Sequence, residues 1–239
     1  MDVVDALAAG RGLTCVVGAG GKKTTMATLA ARLDRAVVTA TVRIPIFDEW
    51  VDRVVVTDDP VAAVDASNAW PLGVVPERER DDRYLGYDPA TVDRLAGLDL
   101  PVLVKADGAR MRRFKAPGDH EPQIPAAAAT VVPVASARVV GRPLTAERVH
   151  RVEEVAALTG RAPGEAITAA DVATVLASEQ GGRKGVPDSA TTIPLINMVD
   201  DATLEARARD VAAAIHDRAD VPRVVLAEMR AENPVVDVV

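Results

Sequence analysis

Cysteine is nearly absent from this chain: Cys15 is the only one among 239 residues. A single thiol forms no internal disulfide and builds no cysteine metal cluster. Within an apolar run it reads as a small buried hydrophobe. Positive charge is also in deficit. The formal net charge is −7, which argues against nonspecific binding to nucleic acid or to an anionic membrane, since both need a basic footprint. No apolar run approaches the ~18 residues of a membrane span, and no charged-then-apolar leader precedes Leu13; the expected location is the cytoplasm. Aromatics are 3% of the chain. With arginine far ahead of lysine and aspartate plentiful, the composition has the bias of a salt-adapted proteome or a GC-rich genome.

Lysine is the scarce cation. There are five, Lys22, Lys23, Lys105, Lys115 and Lys184, and each stands in or beside a glycine turn or a candidate motif. A compact ammonium on a flexible stem is chemically distinct from a guanidinium, so these positions are where its properties are wanted.

The first two lysines lie in the stretch that organises the chain, residues 13–25. Leu13 to Val17 is an apolar run. It breaks into Gly18, Ala19, Gly20 and Gly21, then Lys22, Lys23, Thr24 and Thr25. Met26, Leu29, Ala30 and Leu33 follow at the spacing of one helical face. Strand, glycine turn and helix N-terminus in that order make an anion site, because the first helical N–H groups lack internal partners and the dipole is positive there. A lysine adds full charge, and Thr24 or Thr25 can ligate the Mg²⁺ of a triphosphate. The match to G-x-x-x-x-G-K-[ST] is imperfect. With Gly21-Lys22 as the pair, position one is Val16 and Lys23 follows; with Lys23 as the working lysine, Lys22 takes the glycine place. An ordinary glycine turn fits as well. A G-x-G-x-x-G dinucleotide fingerprint fails at Lys23.

Alternating strands and helices predict an α/β fold with a mainly parallel sheet. Residues 1–10 read as a short helix ending at Gly10, and strands are expected at 36–42, 53–57, 71–75, 101–106, 130–135, 192–198 and 223–227. Asp59-Pro60 and Asp88-Pro89 are helix starts; Thr168 with Asp171 is a capping pair. Thr145 is expected to cap a helix with Val149, Val152 and Ala156 on one face and His150 within it, ending at Gly160. Residues 141–190 are mostly helical and form a small insert in one domain spanning 1–239. Thr39, Thr41 and Arg43 end the second strand, either near a ligand or with the threonines as strand formers.

Asp107 ends the strand at 101–106 in an Asp-Gly turn. Behind a phosphate loop, that carboxylate is placed to hold Mg²⁺ or orient a nucleophile. Arg110, Arg112, Arg113 and Lys115 follow, four cations in six residues of an acidic chain, suited to a loop over a triphosphate or a second anionic substrate. His120 beside Glu121 is an acid–base candidate or a loop hydrogen bonder. Asn197-x-x-Asp200 after a strand has the form of a base-reading motif, with Met198 where a lysine would pack on the base.

The set Gly18–Thr25, Lys105-Ala-Asp-Gly-Ala-Arg, Phe114-Lys-Ala-Pro, His120-Glu-Pro and Asn197-x-x-Asp200 resembles the YqeC family, associated with accessory roles for selenium-dependent molybdenum hydroxylases. The resemblance implies a P-loop-NTPase-like, three-layer α/β/α nucleotide-binding protein acting in cofactor maturation. It places the phosphate loop at Gly18–Thr25, the acidic position at Asp107 and the cationic loop at Arg110, Lys115 and His120. The family pattern has one lysine in the loop and Glu before Ala-Asp-Gly; here there are two lysines, and Lys105 stands in the acidic place. The expected ligands are ATP or GTP with Mg²⁺, and the expected partners a molybdenum hydroxylase or a molybdopterin-type anion. Hydrolysis or transfer of phosphate is one reading. A nucleotide-gated chaperone without turnover is another, and a Rossmann-type NAD(P) protein a third.

Overall fold

The computed structural model describes all 239 residues. In chain order the elements are α1 (Val3–Ala6), β1 (Gly12–Gly18), α2 (Lys22–Ala30), β2 (Val37–Ala40), β3 (Ile44–Pro45), β4 (Arg53–Val56), α3 (Pro60–Asp65), β5 (Leu72–Val75), β6 (Arg83–Tyr84), α4 (Pro89–Asp93), β7 (Pro101–Lys105), β8 (Phe114–Lys115), β9 (Ala128–Ser136), β10 (Val149–His150), α5 (Val152–Thr159), α6 (Ala169–Ala177), β11 (Thr191–Thr192), β12 (Leu195–Asn197), α7 (Ala202–His216), β13 (Val225–Ala227) and β14 (Val235–Val238).

Ten strands form one sheet in the order β14-β13-β12-β9-β1-β7-β2-β5-β4, with β11 beside β9. Every pairing is parallel except β13 with β14. β1 is buried from Leu13 to Val17, as an unbroken apolar strand must be when helices cover both faces. On one face α1 and α2 pack with Val16, Val38, Leu103 and Val132. On the other, α3 and α4 cover Cys15, Val74 and Val104, while α5, α6 and α7 share a core with Ile196 and Leu226. The result is three layers, α/β/α.

Local chemistry sets the helix starts. Asp59, Asp88 and Asp201 each accept an N–H of the first turn, and Thr168 with Asp171 makes a reciprocal capping box. The strand expected over 192–198 is split at Ile193-Pro194 into β11 and β12. By the flanking registers this break runs alongside Val132-Pro133 of β9, so Pro194, without a donor, falls opposite Pro133, which has none either.

Two expectations change. Helix α1 stops at Ala6 instead of reaching Gly10, and Ala8 sits at φ 49. No helix starts at Thr145: Val149 and His150 pair with Phe114 and Lys115 as a parallel ribbon, and α5 begins only after Arg151, at φ 61. His150 is therefore in a strand pair. Within the segment 141–190, α5 and α6 pack with α7 and the sheet in one core.

Candidate functional site

The carboxyl ends of β1, β7 and β9 meet at the glycine loop. Gly20 and Gly21 lie at φ 106 and 132, where side chains are strained. A Cβ on Gly20 would stand 2.6 Å from the Ser136 nitrogen and 2.7 Å from the Arg113 carbonyl; one on Gly21 would overlap the Asn197 amide. The loop is thus pressed against β9, the segment before β8, and the end of β12. Ala19 N–H donates to the Val134 carbonyl (2.9 Å) and Gly18 N–H to Asp107 Oδ2 (2.8 Å). The next five N–H groups, Gly20 through Thr24, donate to nothing in the protein, and α2 has no side-chain cap. Free amides on a helix start form a cradle for negative charge.

Lys22 and Lys23 part company here. Lys22 is the first residue of α2 and is buried. Its Nζ donates to the Gly18 carbonyl and stands 2.6 Å from Asp107 Oδ1. Even so, Oδ1 accepts no well-directed hydrogen bond: the ammonium is close but aimed at the carbonyl. Lys23 is half-buried with no carboxylate in contact. The Thr24 hydroxyl has no hydrogen-bond partner, whereas Thr25 Oγ1 donates back to the Gly21 carbonyl (3.1 Å).

Asp107 is the hub, 2% exposed. Lys115 Nζ reaches its Oδ2 at 2.9 Å, and also donates to the Gly108 carbonyl and to Glu121 Oε2, both at 2.6 Å. Arg151 donates to the same Glu121 oxygen. Burial alone would raise the Glu121 carboxyl, but hydrogen bonds from Arg151 and Lys115 outweigh it and lower the pKa to about 2. Burial draws the Lys22 ammonium below its usual range, against the pull of Asp107. Lys105 is buried, donates to the Arg43 carbonyl (2.7 Å) and contacts no carboxylate; burial, then Lys22, brings it down to about 7. Burial and the Arg151 charge lower His150 to about 4. Three cations, Lys22, Lys115 and Arg151, and the Lys105 amine, which titrates near 7, thus gather with two carboxylates.

The segment 108–123 lies over this cluster. Lys115 and Glu121 hold it from beneath, Lys184 Nζ donates to the Gly118 carbonyl (2.7 Å), and Gln123 N–H donates to the Ala106 carbonyl (2.8 Å). The crevice left between Gly18, Asp107, Lys115, Pro122 and Gly182 has room for about one water molecule. Arg110 is exposed on this cover at φ 44 with no acid in contact. His120 is exposed at its tip, its carbonyl accepting from Gln123 Nε2 at 2.5 Å.

The other expected ligands are engaged within the protein. Thr39 Oγ1 is buried and donates to the Val74 carbonyl (2.8 Å). Asn197 donates to the Gly20 carbonyl (2.9 Å) and accepts from Met229 N–H (3.2 Å), so both ends of its amide hold backbone. Asp200 pairs with Arg138. Glu121 and Arg151 were not among the expected site residues. Glu121 adjoins His120 in sequence, but nothing local marks Arg151, which arrives through the β8–β10 ribbon.

A divalent cation does not fit directly on Asp107, whose carboxylate is bracketed by two ammonium groups. No three His, Cys, Asp or Glu side chains gather around a common point anywhere in the chain.

A family model described as "YqeC protein" matches residues 14–153. That span runs from the glycine loop through Asp107 and the cover to Arg151. The chain belongs to the YqeC family. The "Uncharacterized protein YqeC" of Escherichia coli (strain K12) is 30% identical over 192 residues, 76% of this chain and 74% of the relative. No solved structure matches. Asn197 and Asp200 fall outside the span the YqeC model matches. No helix is long and apolar enough to cross a membrane.

Proposed function

We propose that this YqeC-family protein binds a nucleoside triphosphate, ATP or GTP, through its glycine loop, in a P-loop-like manner. The observation that carries the reading is the row of five unpartnered N–H groups, Gly20 to Thr24, at the uncapped start of α2. The buried excess of cations beside it supports the same conclusion. Buried charge is costly unless paired, and a polyphosphate supplies the missing negative charge.

In this reading phosphate oxygens take the five amides, and the Lys22 ammonium turns from the Gly18 carbonyl to them. Asp107 keeps Lys22 and Lys115 oriented. The crevice is far smaller than the several hundred Å³ of a ligand pocket, so the cover at 108–123 moves aside on entry. Lys115 and Arg110 then face the ligand from above. Mg²⁺ travelling with the nucleotide is held mainly by phosphate and water; the Thr24 hydroxyl is the chain's available oxygen.

The nucleotide-gated reading, binding without turnover, is favoured by one further observation. With Lys22 and Lys115 on its carboxylate, Asp107 is poorly placed to take a proton from an attacking water. In that reading, nucleotide occupancy positions the cover, and the cover meets a molybdenum hydroxylase or a molybdopterin-type anion.

The test is a thermal-shift panel of ATP, GTP, CTP and NADH, each with and without Mg²⁺, because a ligand of the folded state raises the melting point by mass action. Triphosphates raise it and NADH does not. The double variant Lys22→Ala, Lys23→Ala loses the shift; an unchanged shift would sink the reading. Phosphate release with and without a partner enzyme separates turnover from gating.

A further inference from the structure

Lys105 is the buried cation to which the nucleotide reading gives no work. It ends β7, paired in register with Val16 of β1 and Ala40 of β2, and is 5% exposed. An ammonium has three donors; this one uses a single acceptor, the Arg43 carbonyl at 2.7 Å, and no carboxylate lies in contact. Its surroundings do not explain it. Lys22 from α2 and Lys115 from β8 repel it, and Asp107 and Glu121 attract it only from a distance, since their contacts go to other cations. The nearby Arg43 side chain is itself held by Glu79. A purely structural strut to one carbonyl does not need a charge: a buried unpaired ammonium is among the costlier groups a core can hold. Asp107, two residues on and just past the end of β7, anchors Lys22 and Lys115 at the proposed phosphate site.

We propose that Lys105 is a direct ligand for the bound anion. It contacts the terminal phosphate of the nucleoside triphosphate on the β2 side of the glycine loop, opposite Lys115. The assignment rests on the nucleotide reading and deepens it: three ammonium groups from α2, β7 and β8 converge on one polyphosphate.

The experiment is calorimetric titration of the full chain with ATP and with pyrophosphate, paired with thermal melts of the unliganded protein. Lys105→Met keeps the length and removes the charge. Expected is a loss of about tenfold or more in ATP affinity, with an unliganded melting point equal to or above wild type, because an unpaired buried charge has gone. Lys105→Gln provides a second variant should the first fold poorly. Unchanged affinity in a wild-type protein that binds ATP overturns the Lys105 assignment alone. A melting point that falls in step with affinity makes Lys105 a strut and overturns it too. A wild-type protein that takes up neither ATP nor pyrophosphate overturns the nucleotide reading and this assignment together.

Discussion

Glu121 shows how a half-buried carboxylate fixes the cover over the site. Lys115 and Arg151 both donate to one of its oxygens, and its pKa falls to about 2 from an ordinary 4.5. A group depressed by folding stabilises the native state above its unfolded pKa and loses that contribution as pH falls through the folded one. The window here runs from about pH 4.5 down to about 2. Glu121→Gln should therefore be less stable than wild type at pH 7, by up to roughly 3 kcal/mol, and the gap should close as pH drops through that window. Urea midpoints of both proteins at pH 7, 4 and 3 measure it; a gap independent of pH would remove Glu121 from the ion-pair account. Sequence alone put Glu121 next to His120 and favoured the histidine. The structure reverses their weight, since His120 is exposed and Glu121 holds two cations.

At the scale of elements, the loop between β1 and α2 is shaped from outside itself. Asn197 at the end of β12 donates to Gly20 and accepts from Met229 N–H. Asn197→Ala leaves two buried backbone groups unsatisfied and should cost about 2–4 kcal/mol, with faster amide exchange at Gly20 and Gly21. Denaturant unfolding and hydrogen exchange would register both effects. A variant of full stability with altered base preference would instead return Asn197 to the base-reading role its Asn-x-x-Asp spacing suggested. The β8–β10 ribbon is the other element that decides the site. Val149 lies in helical spacing with Val152 and Ala156, yet Phe114 and Lys115 offer Val149 and His150 strand partners, and that pairing delivers Arg151 to Glu121.

For the whole molecule the question is whether residues 141–190 stand apart. Their helices share a core with α7, and that core lies on β9 and β12, next to β1 in the same sheet. No linker divides the sheet. Unfolding should be one transition: far-UV circular dichroism, weighted by α5 to α7, and fluorescence of Trp50 and Trp70, near the opposite edge, should give coincident curves. Separate midpoints would show two units. The fold class was legible because the strands at 13–17, 101–104 and 131–135 are almost wholly apolar short runs separated by helical patterns, as a doubly covered parallel sheet requires. β14 escaped notice, since Val235–Val238 is short, half-exposed and antiparallel at an edge.

The sequence by itself determined the strand–glycine–helix order, the aspartate caps, Asp107 at a strand end and the clustering of rare lysines, since each depends on neighbours within a few positions. Which lysine joins the buried charge cluster was beyond its reach, because Lys22 and Lys23 differ only in the direction each leaves the helix. The tertiary structure decided it: β7 lies beside β1, so Asp107 meets the first helical residue and captures Lys22. It also decided that Lys105, Lys115, Glu121 and Arg151 share one buried cluster with them. Charge–charge contact at a few ångströms is a property of sheet order and loop closure, and local spacing does not encode it.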